Sequence, residues 1–478
     1  MLHEGDAVIH RAIGLCTCLG LLVGTIAAAA QKPNLVVFIC DDLGCLDTQP
    51  YGATDVRTPN MQRLASEGLL LRQAFVASPS CAPSRAALLT GLMPARNGAE
   101  ANHSRPRAEI KRLPAYLQEL GYEVASFGKV AHYGHGPEYG FDVVGGEGFQ
   151  RYEGIGLAAE FLTNRKADKP VCLFVGTNWP HVPWPEMAAY DSAAIKLPPE
   201  HVDTPELRRS RARYYTAVTK ADDDLGQILK AVEEKLDPKN TFVLFTSDHG
   251  AQMPFGKWNL YDAGMRVPLL AKGPGIKAGA ATEAMVSWID ILPTLVELAG
   301  GSPPKETDGR SFAGVLRGEK AAHRDEIYAT HSGDREFNVY PMRALRMGGW
   351  KYILNLHPEF QYATHINRGG ERDGRDYFRS WEDAAKTNVH AWQIVERYKQ
   401  RPREELYDLT ADPHELHNMA GAAQHGQRLA MMREKLAAWM KDQKDSETVF
   451  DKPLLLGQDA TPIPTQAGKA KAKDKTAK

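Results

Sequence analysis

The sequence predicts an α/β protein in which helices sandwich a mostly parallel sheet, followed by a smaller C-terminal antiparallel sheet with a helix. Three observations lead there. Apolar runs at 35–40, 171–177 and 241–247 are short, uninterrupted and bounded by turn residues, as in strands buried on both faces. Helix-like segments at 60–68, 84–91, 113–120 and 214–236 lie between them, and strands alternating with helices build a covered parallel sheet. Past about residue 330 the texture changes to closely spaced strand-like runs at 342–347, 350–356 and 405–409, then a helical stretch at 427–443. The polar region 367–399 fits neither pattern, and no repeat of fixed period is present.

Composition narrows the class further. The 478 residues carry 58 Lys plus Arg against 59 Asp plus Glu, and 43% are hydrophobic. That excludes collagen, coiled coil and disorder, and it lacks the basic excess of a dedicated nucleic-acid binder. Arg11 precedes an apolar run from Ala12 to Ile26 that ends in the small residues Ala27 to Ala30, the pattern of a cleaved export signal. The run is shorter than the roughly 20 apolar residues needed to span a bilayer, so no stable membrane insertion is expected. An exported product, periplasmic or secreted, would keep Cys40, Cys45, Cys81 and Cys172, too few for a disulfide framework in so long a chain. The organisation read from the sequence is a signal peptide at 1–30, a catalytic domain at 31–330, a C-terminal subdomain at 331–450 and a disordered tail at 451–478.

In open α/β sheets ligands bind beyond the carboxyl ends of the strands, and two acidic clusters stand there. Asp41 and Asp42 follow the first run, and Asp248 and His249 follow the run at 241–247. Either pair alone would ordinarily cap the next helix. Together, adjacent carboxylates in one crevice call for a hard divalent cation. A third element is Ser80-Cys81-Ala82-Pro83-Ser84-Arg85. Pro83 suits a first helical turn, which sets Cys81 at a helix N-terminus where backbone N–H groups favour a nucleophile or an anion. A single Cys is more often a buried small hydrophobe.

Cys81-Ala82-Pro83-Ser84-Arg85, with the following Leu89-Thr90-Gly91, resembles the C-x-P-S-R signature of the type I sulfatases. Asp41-Asp42 and Ser247-Asp248-His249-Gly250 fit the same family, and the resemblance runs from about Pro33 to Asn418. It implies an alkaline-phosphatase-like fold and conversion of Cys81 to formylglycine before folding, by a formylglycine-generating partner enzyme. It also implies a site for calcium, or magnesium in its place, made by Asp41, Asp42, Asp248 and His249 with residue 81 facing the ion.

The same resemblance assigns further roles. Gly128-Lys129-Val130-Ala131-His132 is similar to the family's Lys and His pair, with the two-residue spacing of iduronate-2-sulfatase-like members. Lys129 would neutralise sulfate oxygens and His132 would orient or deprotonate the formylglycine hydrate. Asn178-Trp179-Pro180-His181 resembles the family's H-x-P-H turn, with His181 as proton donor to the leaving group and Asn178 in place of the first His. Lys257, in Phe255-Gly256-Lys257-Trp258-Asn259-Leu260-Tyr261, would bridge the sulfate and its leaving atom. That run and Tyr340-Pro341-Met342-Arg343 look most like the N-sulfoglucosamine sulfohydrolase branch, which carries Arg where Lys257 stands. Arg85 completes the catalytic set, and His331 is a candidate substrate contact.

The implied activity is release of sulfate from a sulfated carbohydrate, first of all from glucosamine N-sulfate. An O-sulfatase acting on a uronic acid or another glycan is the alternative within the class. A metal-dependent phosphoryl hydrolase and a non-catalytic glycan binder are the readings outside it. The sequence assigns no oligomeric state.

Overall fold

A computed structural model describes residues 31–166 and 168–458. The leader read at 1–30 and the tail beyond Gln458 lie outside the described residues. Eight strands form the main sheet: β1 (Asn34–Asp41), β2 (Leu69–Phe75), β3 (Glu123–Gly128), β4 (Val143–Gly145), β5 (Val171–Pro180), β6 (Thr241–Ser247), β7 (Leu269–Lys272) and β8 (Ala280–Ser287), in the order β4-β3-β5-β1-β6-β7-β2-β8. All neighbours are parallel except β7, which runs antiparallel to both β6 and β2.

The central strand β1 explains its own burial. Val36, Phe38 and Cys40 face one apolar layer, while Leu35, Val37 and Ile39 face the other. This alternation, with both faces covered, is why 35–40 reads as one unbroken apolar run. The helix Pro205–Lys235 packs on the first face, capped by Thr204, whose hydroxyl accepts from the Leu207 amide at 3.2 Å. Its start lies nine residues ahead of the helix expected from 214, because the arginine-rich first turns hide the apolar spacing.

A second sheet of four antiparallel strands has the order β12-β11-β10-β9, from β9 (Glu326–His331), β10 (Met342–Met347), β11 (Trp350–Asn355) and β12 (Glu404–Asp408). The helix Gly426–Asp442 covers it through Leu429, Met432 and Leu436. The region 367–399 forms two helices, Arg375–Ala385 and Val389–Lys399, whose apolar sides join the first layer. Within the segment read as tail, the Leu454 carbonyl accepts from the Gln361 amide at 2.7 Å, which ties the chain back at that point.

Asp290, just after β8, ties several loops together. Its buried carboxylate accepts from the amides of Ser287 at 2.9 Å and Arg310 at 2.7 Å, and from Arg324 Nε at 2.7 Å. Burial alone would raise its pKa, but Arg324 and His323 outweigh burial and bring it from 3.8 to about 2. A carboxyl depressed on folding stabilises fully above its unfolded pKa and loses that contribution as pH falls through the folded one. Between pH 3.8 and about 2 the wild type is therefore expected to lose about 2 kcal/mol from this group. Acid titration of the unfolding free energy should show a shallower slope in that window for Asp290→Asn.

Candidate active site

Parallel neighbours β1 and β6 are in register with Cys40 opposite Ser247, so the residues that follow them emerge side by side. Asp42 takes a left-handed backbone, φ 68, and its amide donates to Asp248 Oδ1 at 3.1 Å. The helix Cys81–Thr90 points its N-terminus at this pair. Cys81 is 1% exposed, and its Sγ lies 3.3 Å from His249 Nε2, 3.8 Å from Lys129 Nζ and 3.9 Å from Asp41 Oδ1. One turn on, Arg85 donates to Asp41 Oδ1 at 3.1 Å and to Asp248 Oδ2 at 3.0 Å.

Two more strand ends deliver the remaining groups. β3 ends at Gly128, φ 72, where a Cβ would stand 2.1 Å from the Gly176 carbonyl oxygen, so only glycine lets the chain turn there. The next residue, Lys129, places its ammonium on Asp41 Oδ2. β5 leads into His181, whose Nε2 is 3.9 Å from Asp42 Oδ2 and whose Nδ1 is 2.6 Å from the Val182 carbonyl oxygen. Asn178 does not reach this cluster and donates instead to the Arg151 carbonyl at 2.5 Å. Lys257 donates to both oxygens of Asp42, at 3.0 and 2.9 Å. The result is three buried carboxylates, Asp41, Asp42 and Asp248, interleaved with three buried cations, Arg85, Lys129 and Lys257.

Electrostatics follow from that packing. Burial would raise Asp41, yet Lys129, His181 and Arg85 hold it well below the usual carboxylate range. Burial outweighs Lys257 and His249 at Asp42 and pushes it up. Burial also pushes the Cys81 thiol up to about 12, against the pull of Lys129 and Lys257. An unmodified Cys81 is thus a protonated thiol at neutral pH and a poor nucleophile. His181 and His132 are both held well below the ordinary imidazole value, by burial first and then by Lys257 and Lys129 at His181 and by Lys129 and His103 at His132.

The donors fit a hard divalent ion. Ligand atoms of Asp42, Cys81, Asp248 and His249 lie within 4.8 Å of one another, and those of Asp41, Asp42 and His181 form a second such group. Asp41, Asp42 and Asp248 supply the hard oxygen donors that calcium or magnesium requires, and the one imidazole in each group is compatible with either ion.

Two predicted residues sit differently. His132 is buried, with Nε2 2.8 Å from His103 Nδ1. His331 ends β9 in the interior, where its Nε2 lies 2.6 Å from Asn338 Oδ1, and Asn338 in turn donates to the Ala363 carbonyl. The structure therefore gives His331 to a closed interior network. Asn102, His103 and Asp334 escaped the sequence reading. Asn102 Oδ1 accepts from the Ala82 amide at 3.0 Å beside Cys81, and its Nδ2 donates to Asp334 Oδ2 at 2.8 Å across 232 residues. No local spacing could signal that pairing.

Similarity to known proteins agrees with this geometry. A family model described as Sulfatase matches residues 33–302, and one described as N-sulphoglucosamine sulphohydrolase, C-terminal, matches residues 250–363. An "Ulvan-active sulfatase" of Formosa agariphila is 32% identical over 90% of this chain and 84% of its own. The human N-sulphoglucosamine sulphohydrolase is 28% identical over 90% of this chain and 94% of its own. Among solved structures, a 2-O GAG sulfatase superposes with a TM-score of 0.66 at 25% identity, covering 87% of this chain and 93% of that one. With the first model spanning more than half of its length, this chain belongs to the sulfatase family, the hydrolases of sulfate esters and sulfamates.

Proposed function

We propose that this sulfatase removes sulfate from sulfated sugars through residue 81 as formylglycine, with the N-sulfate of glucosamine in heparan-type glycans as its first substrate. The observation that carries the reading is the convergence of His249, Lys129 and Asp41 on Cys81 Sγ, at 3.3, 3.8 and 3.9 Å. A sulfate monoester or sulfamate resists nucleophiles because its oxygens are already negative, and positive groups must neutralise them. Lys129, Lys257 and Arg85 supply that charge from the chain.

Asp41, Asp42, Asp248 and His249 would hold one divalent ion, calcium in the first instance, which supplies further positive charge to the sulfate oxygens. Formylglycine hydrate supplies two geminal hydroxyls, one to attack sulfur and one whose deprotonation returns the aldehyde. His181 is the proton donor to the departing amine or alcohol. It is neutral in the resting site, and an arriving sulfate anion raises its proton affinity. His132 is the base for the second hydroxyl. Phe149, 47% exposed with its ring 5.6 Å from that of His181, offers an apolar face at the rim for a sugar ring. Tyr152, 40% exposed and stacked on Trp179 at 4.6 Å, extends it.

The N-sulfate reading is supported by the match over residues 250–363 and by the likeness to the human enzyme. An O-sulfatase acting on another sulfated polysaccharide is the second reading, favoured by His249, by the two-residue spacing between Lys129 and His132, and by the ulvan-active relative. Export through the leader at 1–30 and maturation by a formylglycine-generating enzyme belong to the same proposal. Among the described residues no helix is long and apolar enough to cross a membrane. Free sulfate should be measured across a panel of sulfated mono- and oligosaccharides, with enzyme co-produced with a formylglycine-generating partner. Release from N-sulfoglucosamine is expected, and release from O-sulfated sugars alone would replace the first reading by the second.

A further inference from the structure

Beside Asn102, which accepts from the Ala82 amide, a row of three groups ends on a bare ring nitrogen. The buried carboxylate of Asp334 accepts at Oδ2 from Asn102 Nδ2 and from Trp258 Nε1, each at 2.8 Å. Its Oδ1 faces His103 Nε2 at 3.3 Å, off the line of a straight hydrogen bond, and among the described residues Oδ1 has no competing donor. His103 Nδ1 is 2.8 Å from His132 Nε2, and among the described residues the buried His132 Nδ1 has no partner. His103 itself holds φ 66, a left-handed backbone that is unfavourable for a non-glycine residue and persists only where its surroundings impose it.

The tautomers follow from the partners. A carboxylate only accepts, so His103 carries its proton on Nε2 and leaves Nδ1 as an acceptor. His132 must then donate from Nε2, and its Nδ1 keeps the lone pair. We propose that Asp334, acting through His103, is a positioning residue that fixes His132 in the one tautomer able to take a proton at Nδ1. This rests on the base role of His132 proposed above. When His132 Nδ1 takes the proton of a hydroxyl at position 81, the O–H bond breaks and its electron pair stays on oxygen. The new imidazolium is then aligned, through His103, with the Asp334 carboxylate.

Asp334→Asn tests the idea with almost no change of shape. Asn102 and Trp258 both donate to Oδ2, so the amide of the variant must turn its oxygen to them and its NH2 towards His103. His103 would have to accept at Nε2 and move its proton to Nδ1. His132 would then accept at Nε2 and carry its proton on Nδ1, and the base would be lost.

With 15N-histidine-labelled protein, NMR should report Nε2–H on both rings in the wild type and Nδ1–H on both in Asp334→Asn. The kcat for sulfate release should fall by roughly 10²- to 10⁴-fold with KM within about threefold. His103→Leu should lose as much, and the double variant no more, because the row acts as a unit. Unchanged tautomers in Asp334→Asn, a kcat within about threefold of wild type, or additive losses would each overturn the proposal. If Asp334→Asn fails to fold, His103→Leu decides by the same kcat criterion. A wild type that releases no sulfate from any sugar would overturn the proposed function instead, and the ring-nitrogen readout, which needs no turnover, would still decide the positioning.

Discussion

Cys81→Ala is expected to abolish sulfate release, by at least about 10⁴-fold, while leaving the fold in place. The side chain lies at the first turn of its helix, 3.3 Å from His249 and 3.8 Å from Lys129, at the one point on which carboxylates and cations converge. Alanine removes a single sulfur from a site held by other bonds: Ser84 Oγ donates to the Asp248 carbonyl at 2.6 Å, and Arg85 bridges Asp41 and Asp248. Stability should therefore change by only about 1 kcal/mol. Wild-type chain produced without a formylglycine-generating enzyme should be nearly as inactive, because its thiol is pushed up to about 12 by burial. Sulfate release, thermal unfolding and the mass of the peptide around residue 81 together check this. A Cys81→Ala variant that kept even a hundredth of the activity would move the chemistry elsewhere.

Removal of divalent ions should have the next largest effect. Chelation followed by dialysis is expected to bring turnover to background, and added calcium should restore it. The chain should survive such treatment, because Lys129 is paired with Asp41, Lys257 with Asp42 and Arg85 with Asp248, so no carboxylate of the cluster is left without a cation. Loss of activity should thus come without unfolding. The melting temperature should still drop, since an ion present at about 100 times its Kd contributes roughly 2.7 kcal/mol. Full turnover in metal-free enzyme would remove the ion from the account. Asp248→Asn should mimic chelation and resist rescue by calcium.

Much of this architecture was legible because its central elements obey local rules. The apolar runs at 35–40 and 241–247 became β1 and β6, and the acidic residues after them met because parallel neighbours deliver their ends to one edge. Cys81 was placed at a helix N-terminus by Pro83 alone. The region 367–399 was missed although Ala391, Ile394, Val395 and Tyr398 repeat at helical spacing, because the charged residues between them dominate the composition. His331 was read as a candidate substrate contact, and its buried ring lies against Asn338, a pairing that tertiary packing alone creates. Asp334 gave no signal, since its partners at 102, 103 and 258 are brought to it only by tertiary packing.

The register of β1 against β6 also sets a clock. Arg85 cannot bind Asp248 until 163 further residues have been made, which at roughly 5 to 20 residues per second takes about 10 to 30 s. Throughout that interval the wall that buries residue 81 is still missing, and under the proposed maturation an oxidising enzyme would have the nascent thiol within reach. Once β6 docks, the same wall that brings the charges together would shut such an enzyme out, so the proposed maturation would have to finish during synthesis.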